Sequence, residues 1–351
     1  MTKWERTLKT LRNVFLSLLI ALISLSIIVL VNGPSNVMQA LSSIDGTFIL
    51  LCLLSWAVSV MFESTVVKLS SVYGKLNIKI TDAIEVVLLG RFFNSITPFA
   101  TGGQPAQIYY MSAKKRFGVA ESTGILIVKF LIYQVTITIY GALVLVLAYP
   151  TAKRYVQHLA SLAFVGFAVN SSVVFLILFF SLNERVGLGL LRIVVRVLIL
   201  LKIVKNSEDL EEKMANEVRK FQSVFKNILK FPLRATVMSA FTLVQYISLM
   251  ILPYFAYRSL GFYGENPWKI VGMQSILTLF VAFIPTPGGS GAQEGAFYLF
   301  YRTIFADSTA AGLIVWRFFS FYLNIIIGSL LLPKMRRSRN AEEKTQIDSN
   351  D

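Results

Sequence analysis

Thr97-Pro98-Phe99-Ala100-Thr101-Gly102-Gly103-Gln104 and Thr286-Pro287-Gly288-Gly289-Ser290-Gly291-Ala292-Gln293 lie over one another without a gap, at an offset of 189 (286 minus 97). Thr, Pro, a hydroxyl residue, Gly and Gln recur in register, and Tyr109 falls over Tyr298. Each octapeptide interrupts apolar sequence that would otherwise read as membrane helix. Paired Gly/Pro interruptions in corresponding halves of an apolar chain point to a transporter made of two repeats, with its binding site near the breaks.

Composition agrees with a membrane setting. The 351 residues are 55% hydrophobic and only 15% charged, with a mean hydropathy of +0.64, whereas soluble domains carry about 25% charged residues. The net charge of +15 does not argue for nucleic acid, because the cations cluster beside apolar runs, where anionic lipid and the positive-inside rule account for them. One cysteine, Cys52, excludes an intramolecular disulfide. One histidine, His158, read as a loop residue, leaves no His/Cys metal centre. No cofactor motif appears: the glycine-rich breaks lack the Lys-Ser/Thr of a nucleotide loop, and no zincin or Gly-x-Ser-x-Gly pattern occurs. The basic N-terminus before the first apolar run, with no small-residue cleavage site after it, reads as an uncleaved first span.

The fold class expected is an all-α polytopic membrane protein with six full spans and two opposed re-entrant helical hairpins, arranged as an inverted repeat. Spans need about 20 apolar residues; the candidates are 13–31, 47–67, 121–148, 160–182, 236–257 and 309–332. The regions 83–111 and 269–303, each broken by the repeated motif, are the hairpins. Loop 32–46 has no Lys or Arg and is placed outside, whereas 68–82 and Lys114-Lys115-Arg116 are placed inside. Loop 149–159 is placed outside. The first repeat is thus 1–150 and the second 160–182 with 236–333. An insert, 183–235, carries Arg185, Arg192 and Arg196 on one helical face and suits the inner interface. The tail 334–351 is polar and expected to be disordered, and both termini face the cytoplasm of a bacterial-type cell membrane.

Backbone at membrane depth must be paired or face a protein-lined cavity. The half-helix N-termini following the breaks therefore present N–H donors and a partial positive charge suited to an anion. Thr97, Thr101, Gly102, Gly103, Gln104, Gln107, Thr286, Gly288, Gly289, Ser290, Gly291 and Gln293 are the candidate contacts there. Pro98, Pro285 and Pro287 make the breaks. The alternative is that these small residues serve helix packing. Gly124-Ile-Leu-Ile-Val-Lys129-Phe130 also matches Gly312-Leu-Ile-Val-Trp-Arg317-Phe318, at an offset of 188 (312 minus 124). Lys129 and Arg317 thus occupy equivalent depths, and a charge in mid-bilayer costs about 3 kcal/mol. They are expected to hold a lipid phosphate, or else to pair with Glu63 and Glu294 or sit shallow enough to snorkel. Arg91 and Asn94, just before the first break, are weaker candidates. Glu63, at the inner end of its span, is a candidate for coupling. Glu294 opens a half-helix, where a carboxylate serves as a first-turn charge.

Gly90-Arg-Phe-Phe-Asn-Ser-Ile-Thr-Pro-Phe-Ala-Thr-Gly-Gly-Gln-Pro-Ala-Gln-Ile-Tyr-Tyr110 and Ile284-Pro-Thr-Pro-Gly-Gly-Ser-Gly-Ala-Gln-Glu-Gly295 closely resemble the lysylphosphatidylglycerol synthase transmembrane family, also described as flippase-like. The resemblance covers roughly residues 10–335. In bifunctional members a cytoplasmic domain after the membrane domain transfers lysine from lysyl-tRNA to phosphatidylglycerol, and the membrane domain is implicated in moving the product. Only a short polar tail follows Pro333 here. The resemblance therefore implies the transport domain and not the aminoacyl transfer, nor the family's label of phosphatidylglycerol lysyltransferase. The antibiotic resistance seen in the wider family, against cationic peptides, is not carried over.

The function expected is translocation of an anionic or aminoacylated phospholipid, or another phosphate-bearing lipid, by alternating access around the two hairpins. On that expectation, removing Lys129 or Arg317 slows transport and leaves the protein folded. The partner implied is a membrane phospholipid, together with a separate lipid-modifying enzyme if the chain assists lipid modification, and no nucleic acid. The rival readings are that membrane-partner role, a small-anion transporter, and a non-transporting scaffold.

Overall fold

A computed structural model describes residues 19–73, 77–113, 117–155, 157–182, 230–281, 284 and 286–333, with isolated positions between 189 and 228. Residues 13–18 of the first predicted span, Lys114-Lys115-Arg116, Pro285, most of the 183–235 insert and the 334–351 tail lie outside the described residues. Every regular element among the described residues is helical.

Helix α1 (Leu19–Asn32) meets α2 (Pro34–Ser42) at a 97° bend. Gly33, at φ 82°, supplies the left-handed residue, and Pro34 opens the next helix, where its missing N–H costs nothing. Helix α3 (Gly46–Tyr73) extends six residues past the predicted end of its span at 67. Lys68 is exposed there, and Ser70 and Ser71 hydrogen-bond back to the carbonyls of Val66 and Lys68, so the turn continues without orphaned groups. Glu63 is therefore well inside the helix rather than at its end.

Helices α4 (Ile80–Ser95) and α5 (Gly103–Ala113) flank the first break, a 3-10 turn at Pro98–Ala100. They pack back on each other: Gln107 donates to the Val86 carbonyl at 3.1 Å and Tyr110 to Glu85 at 2.5 Å. Helix α6 (Val119–Leu147) follows, then α7 (Tyr149–Tyr155) and α8 (Gln157–Leu182). The predicted loops 32–46 and 149–159 thus contain α2, α7 and the start of α8, which includes His158. Pro150 in the first turn and Lys153 and Arg154 in the last turn of α7 match the helix polarity.

The second half contains α9 (Pro232–Met250), α10 (Leu252–Ser259) and α11 (Pro267–Val281), then the second 3-10 break at Pro287–Gly289. After it come α12 (Ala292–Phe305), α13 (Thr309–Arg317), a π-turn at Phe318–Tyr322 and α14 (Leu323–Ser329). Pro253 divides α9 from α10, because it has no N–H for the next helical bond. Helices α11 and α12 fold back as α4 and α5 do, with the Tyr301 hydroxyl donating to the Ile270 carbonyl at 3.2 Å.

Among the described residues, Gly46–Tyr73, Glu121–Leu147, Pro232–Ser259 and Pro287–Ser329 are long and apolar enough to cross a membrane, and the bent α1–α2 pair would make a fifth. The last run reverses direction at Ala306 (φ 46°, ψ −128°), and Phe297 stacks on Trp316 with ring centres 4.9 Å apart. Its length is shared between two arms. The predicted span 160–182 forms α8, whose described apolar portion is Ser161–Leu176, short of the about 20 residues that a span needs.

The halves interleave rather than sit side by side. Helix α3 packs on α9 and α10, α4 on α14, and α6 on α9 and α11. Polar groups cross between them: Ser55 donates to the Ser248 carbonyl (2.6 Å), Trp56 Nε1 to Asn324 Oδ1 (2.9 Å), and Tyr140 pairs with Ser275 (2.7 Å). In an apolar medium such bonds, with small residues at the contacts, do what the hydrophobic effect does in water. The outward faces are apolar, as with Leu22, Ile27 and Leu30 of α1 and Leu143, Val146 and Leu147 of α6.

Candidate functional site

The two breaks share one backbone shape. Thr97 and Thr286 are extended (φ −121°, ψ 144° and φ −103°, ψ 149°). Phe99 and Gly288 then turn left-handed (53°, 17° and 58°, 18°), and Ala100 and Gly289 keep a positive φ (53° and 67°). The turn bonds match as well. Ala100 N–H reaches the Thr97 carbonyl at 3.2 Å and Gly289 N–H the Thr286 carbonyl at 3.1 Å. Thr101 N–H reaches the Pro98 carbonyl at 3.2 Å and Ser290 N–H the Pro287 carbonyl at 3.0 Å. The shapes part at the next position, where Thr101 is helical (ψ −15°) and Ser290 extended (ψ 142°). The two turns pack against each other, so the motifs that match in sequence meet in space.

The N–H donors expected to be free for an anion are largely used internally. Thr97 Oγ1 accepts from Gly102 N–H and Asn94 Oδ1 from Gly103 N–H, both at 2.9 Å. Pro105 has no N–H to offer. In the second half the Glu294 carboxylate accepts from Gly291 N–H at 2.6 Å. An unpaired amide in an apolar setting costs several kcal/mol, which is why each break carries its own acceptors. Asn94→Ala should therefore cost about 1–3 kcal/mol by leaving the Gly103 amide unpaired; a thermal unfolding midpoint equal to wild type would count against this role.

The first half holds a cluster of three charged side chains. Glu63 of α3 receives Lys129 Nζ of α6 on Oε1 at 2.6 Å, and Arg91 Nε of α4 on Oε2 at 2.9 Å. Arg91 Nη2 is also 2.9 Å from Oε2, and Nη1 donates to Ser59 Oγ at 2.9 Å. Two cations face one carboxylate, and their side chains stay 10% (Arg91) and 17% (Lys129) exposed.

The second half differs. Arg317 is 2% and Glu294 1% exposed, with Arg317 Nε donating to Glu294 Oε1 at 2.6 Å. Nη1 donates to Gln293 Oε1 at 2.9 Å, and Nη2 lies 3.5 Å from both the Gly288 carbonyl and Ser290 Oγ. The guanidinium also stacks over Phe321 at 4.5 Å. Arg317 thus ties the second break together as a neutral, saturated pair. Its partners give its removal an expected cost in stability.

The remaining candidates divide by position. Thr101, Gln104 and Pro98 are exposed at the first break, and Thr101 donates to the Pro98 carbonyl. Gln107 is buried inside the α4–α5 hairpin and faces away from the break, because its amide is needed at the Val86 carbonyl. Gly102 and Gly103 are close-packed against Thr97 and Asn94. Thr286 Oγ1 is buried and has no hydrogen-bond partner among the described residues. Gly291 holds φ 86° before α12, and Pro287 opens the second turn. Two participants were missed: Ser59 and Phe321. Ser59 is four residues before Glu63, so its place on the same helix face was readable from spacing.

The lysylphosphatidylglycerol synthase TM region family matches residues 14–328. The chain is 22% identical over 315 residues to a UPF0104 membrane protein of Pyrococcus horikoshii, covering 87% of this chain and 92% of that one. It is 24% identical over 337 residues to a UPF0104 membrane protein of Methanothermobacter thermautotrophicus, covering 90% and 94%. A third UPF0104 membrane protein, from Archaeoglobus fulgidus, is 23% identical over 275 residues, 75% and 79% of the two chains. The matched region contains both breaks, Lys129 and Arg317, and all but the last residue of the apolar helices described. The chain is a multi-helix integral membrane protein that belongs to the lysylphosphatidylglycerol synthase TM region family.

Proposed function

We propose that the protein moves a phosphate-bearing lipid across its membrane, with the headgroup passing where the two breaks meet. The observation that carries this reading is the contact between matching 3-10 turns from opposite halves, with Arg317 held against the second turn and Arg91 on the helix that leads into the first. Broken helices that meet in this way let polar backbone and side chains line a path while the surrounding faces stay apolar. Membership in a family named for synthesis of a modified phosphatidylglycerol supports a lipid as the substrate. The reading includes the finer architecture: six spans and two re-entrant hairpins in opposite orientation, repeats at 1–150 and at 160–182 with 236–333, and both termini cytoplasmic. Rocking of one repeat against the other would expose the headgroup path to each side in turn.

The test is translocation in liposomes containing the purified protein, with labelled phosphatidylglycerol, its lysylated form and a zwitterionic lipid in parallel. Movement faster than in protein-free liposomes is expected. Gln104 is exposed at the start of α5, so Gln104→Ala should slow movement about tenfold, as expected for losing one hydrogen bond to a charged group, without loss of fold. If no lipid moves, the translocator reading is wrong. Uptake of a soluble anion would then favour the small-anion carrier, and modified lipid seen only with a co-expressed transferase would favour the membrane-partner role.

A further inference from the structure

We infer that Arg91 and Lys129 form a seat for a phosphate-ester anion, and that Glu63 fills this seat as a built-in stand-in for the substrate's charge. The argument begins with charge. Two half-buried cations share a single carboxylate, which leaves the cluster one positive charge in excess. An uncompensated charge among apolar helices is costly, so the cluster favours one further anion.

The geometry agrees. Three nitrogens converge on two carboxylate oxygens: Lys129 Nζ on one, Arg91 Nε and Nη2 on the other. A phosphodiester also offers two charged oxygens, and a guanidinium beside an ammonium is a good donor set for it. Donor capacity remains. Lys129 uses one of its three N–H groups on Glu63 and has no other hydrogen-bond partner among the described residues. Arg91 Nη2 lies beside Oε2 but makes no well-aligned hydrogen bond.

The equivalent cation of the second half shows the contrast. All three nitrogens of Arg317 are engaged, its pair with Glu294 is neutral, and the pair is almost fully enclosed. Of these two clusters, the first-half one combines excess charge, spare donors and access. The repeat thus has a seat in one half and a lock in the other. A headgroup phosphate arriving at the first break, seven residues (98 minus 91) or about two helical turns from Arg91, would compete with Glu63 for the same two cations.

This inference rests on the translocator reading for the lipid, but it can be tested without any movement. Protein in nanodiscs of zwitterionic lipid is titrated with short-chain phosphatidylglycerol in one arm and inorganic phosphate in the other. Glu63→Gln removes the internal competitor and should bind phosphatidylglycerol at least tenfold more tightly than wild type. Lys129→Gln leaves a one-to-one Arg91–Glu63 pair and should bind at least tenfold more weakly. Because that pair is neutral, Lys129→Gln keeps the test available if Glu63→Gln does not fold. A gain for phosphatidylglycerol alone assigns the seat to a lipid headgroup, and an equal gain for inorganic phosphate assigns it to the free anion. Affinity unchanged in both folded variants overturns the seat. Wild-type protein that binds as expected yet moves no lipid leaves the seat standing and removes the translocator reading. Unchanged affinity with lipid movement intact does the reverse.

Discussion

Arg317→Ala is expected to cost about 3–5 kcal/mol of stability, the usual result of stripping one partner from a buried ion pair. Glu294 would be left charged at 1% exposure, with only the Gly291 amide for company. Gln293, Ser290 and the Gly288 carbonyl would lose their shared donor at the same time. Glu294→Ala should be comparably harmful, since it strands the guanidinium and uncaps α12. The double variant should cost clearly less than the sum of the two, because no lone charge remains. Unfolding in detergent micelles, followed by helical signal against temperature, measures all three. Full additivity would mean that the pair does not act as a unit. By contrast, Lys129→Gln should leave the midpoint near wild type, because Arg91 still neutralises Glu63.

Gly288→Ala is expected to be the most damaging glycine-to-alanine change among the described residues. Its φ of +58° already disfavours a side chain, at about 1–2 kcal/mol. The new Cβ would fall 2.2 Å from the Phe321 ring and 2.8 Å from the Ser95 carbonyl, and overpacking of this kind adds about 1–3 kcal/mol. Ser95 ends α4 of the first half, so the methyl would push the two breaks apart. Phe99→Gly, at the matching position of the first break, should be neutral or mildly stabilising, because Phe99 is 56% exposed and holds φ 53°. Opposite responses at equivalent positions would show in the thermal midpoints of the two variants. If Gly288→Ala melts like wild type, the breaks do not bear on each other as described.

The sequence repeat made the breaks legible because it carries residues with narrow backbone preferences, Pro and Gly, at fixed spacing. Membership of the family was legible from the same stretches. The left-handed turn at Phe99 and Ala100 was not, since neither residue favours that conformation; only alignment with Gly288 and Gly289 hints at it. Lys129 and Arg317 were recognisable as cations within apolar helices from their neighbours. Their partners were harder to assign. Glu63 is 66 positions from Lys129 and 28 from Arg91, and sharing of one carboxylate by two cations is decided by helix packing. The short helices α2 and α7 went unread because their lengths of nine and seven residues give too little periodicity to separate them from loop.

Helices α3 and α6 are 28 and 29 residues long, about 42–44 Å at about 1.5 Å per residue. That exceeds a hydrocarbon core of about 30 Å, so in a membrane they must lean or project beyond it. Glu63 lies ten residues before Tyr73, the end of α3 (73 minus 63), and Lys129 ten residues after Val119, the start of α6 (129 minus 119). Two antiparallel rods therefore set their joined charges at one depth, about 15 Å of helix from the same pair of ends. A thinner bilayer would bring that depth nearer to the headgroup layer and a thicker one would bury it further, so on the proposed function membrane thickness would set how readily a charged group reaches these side chains.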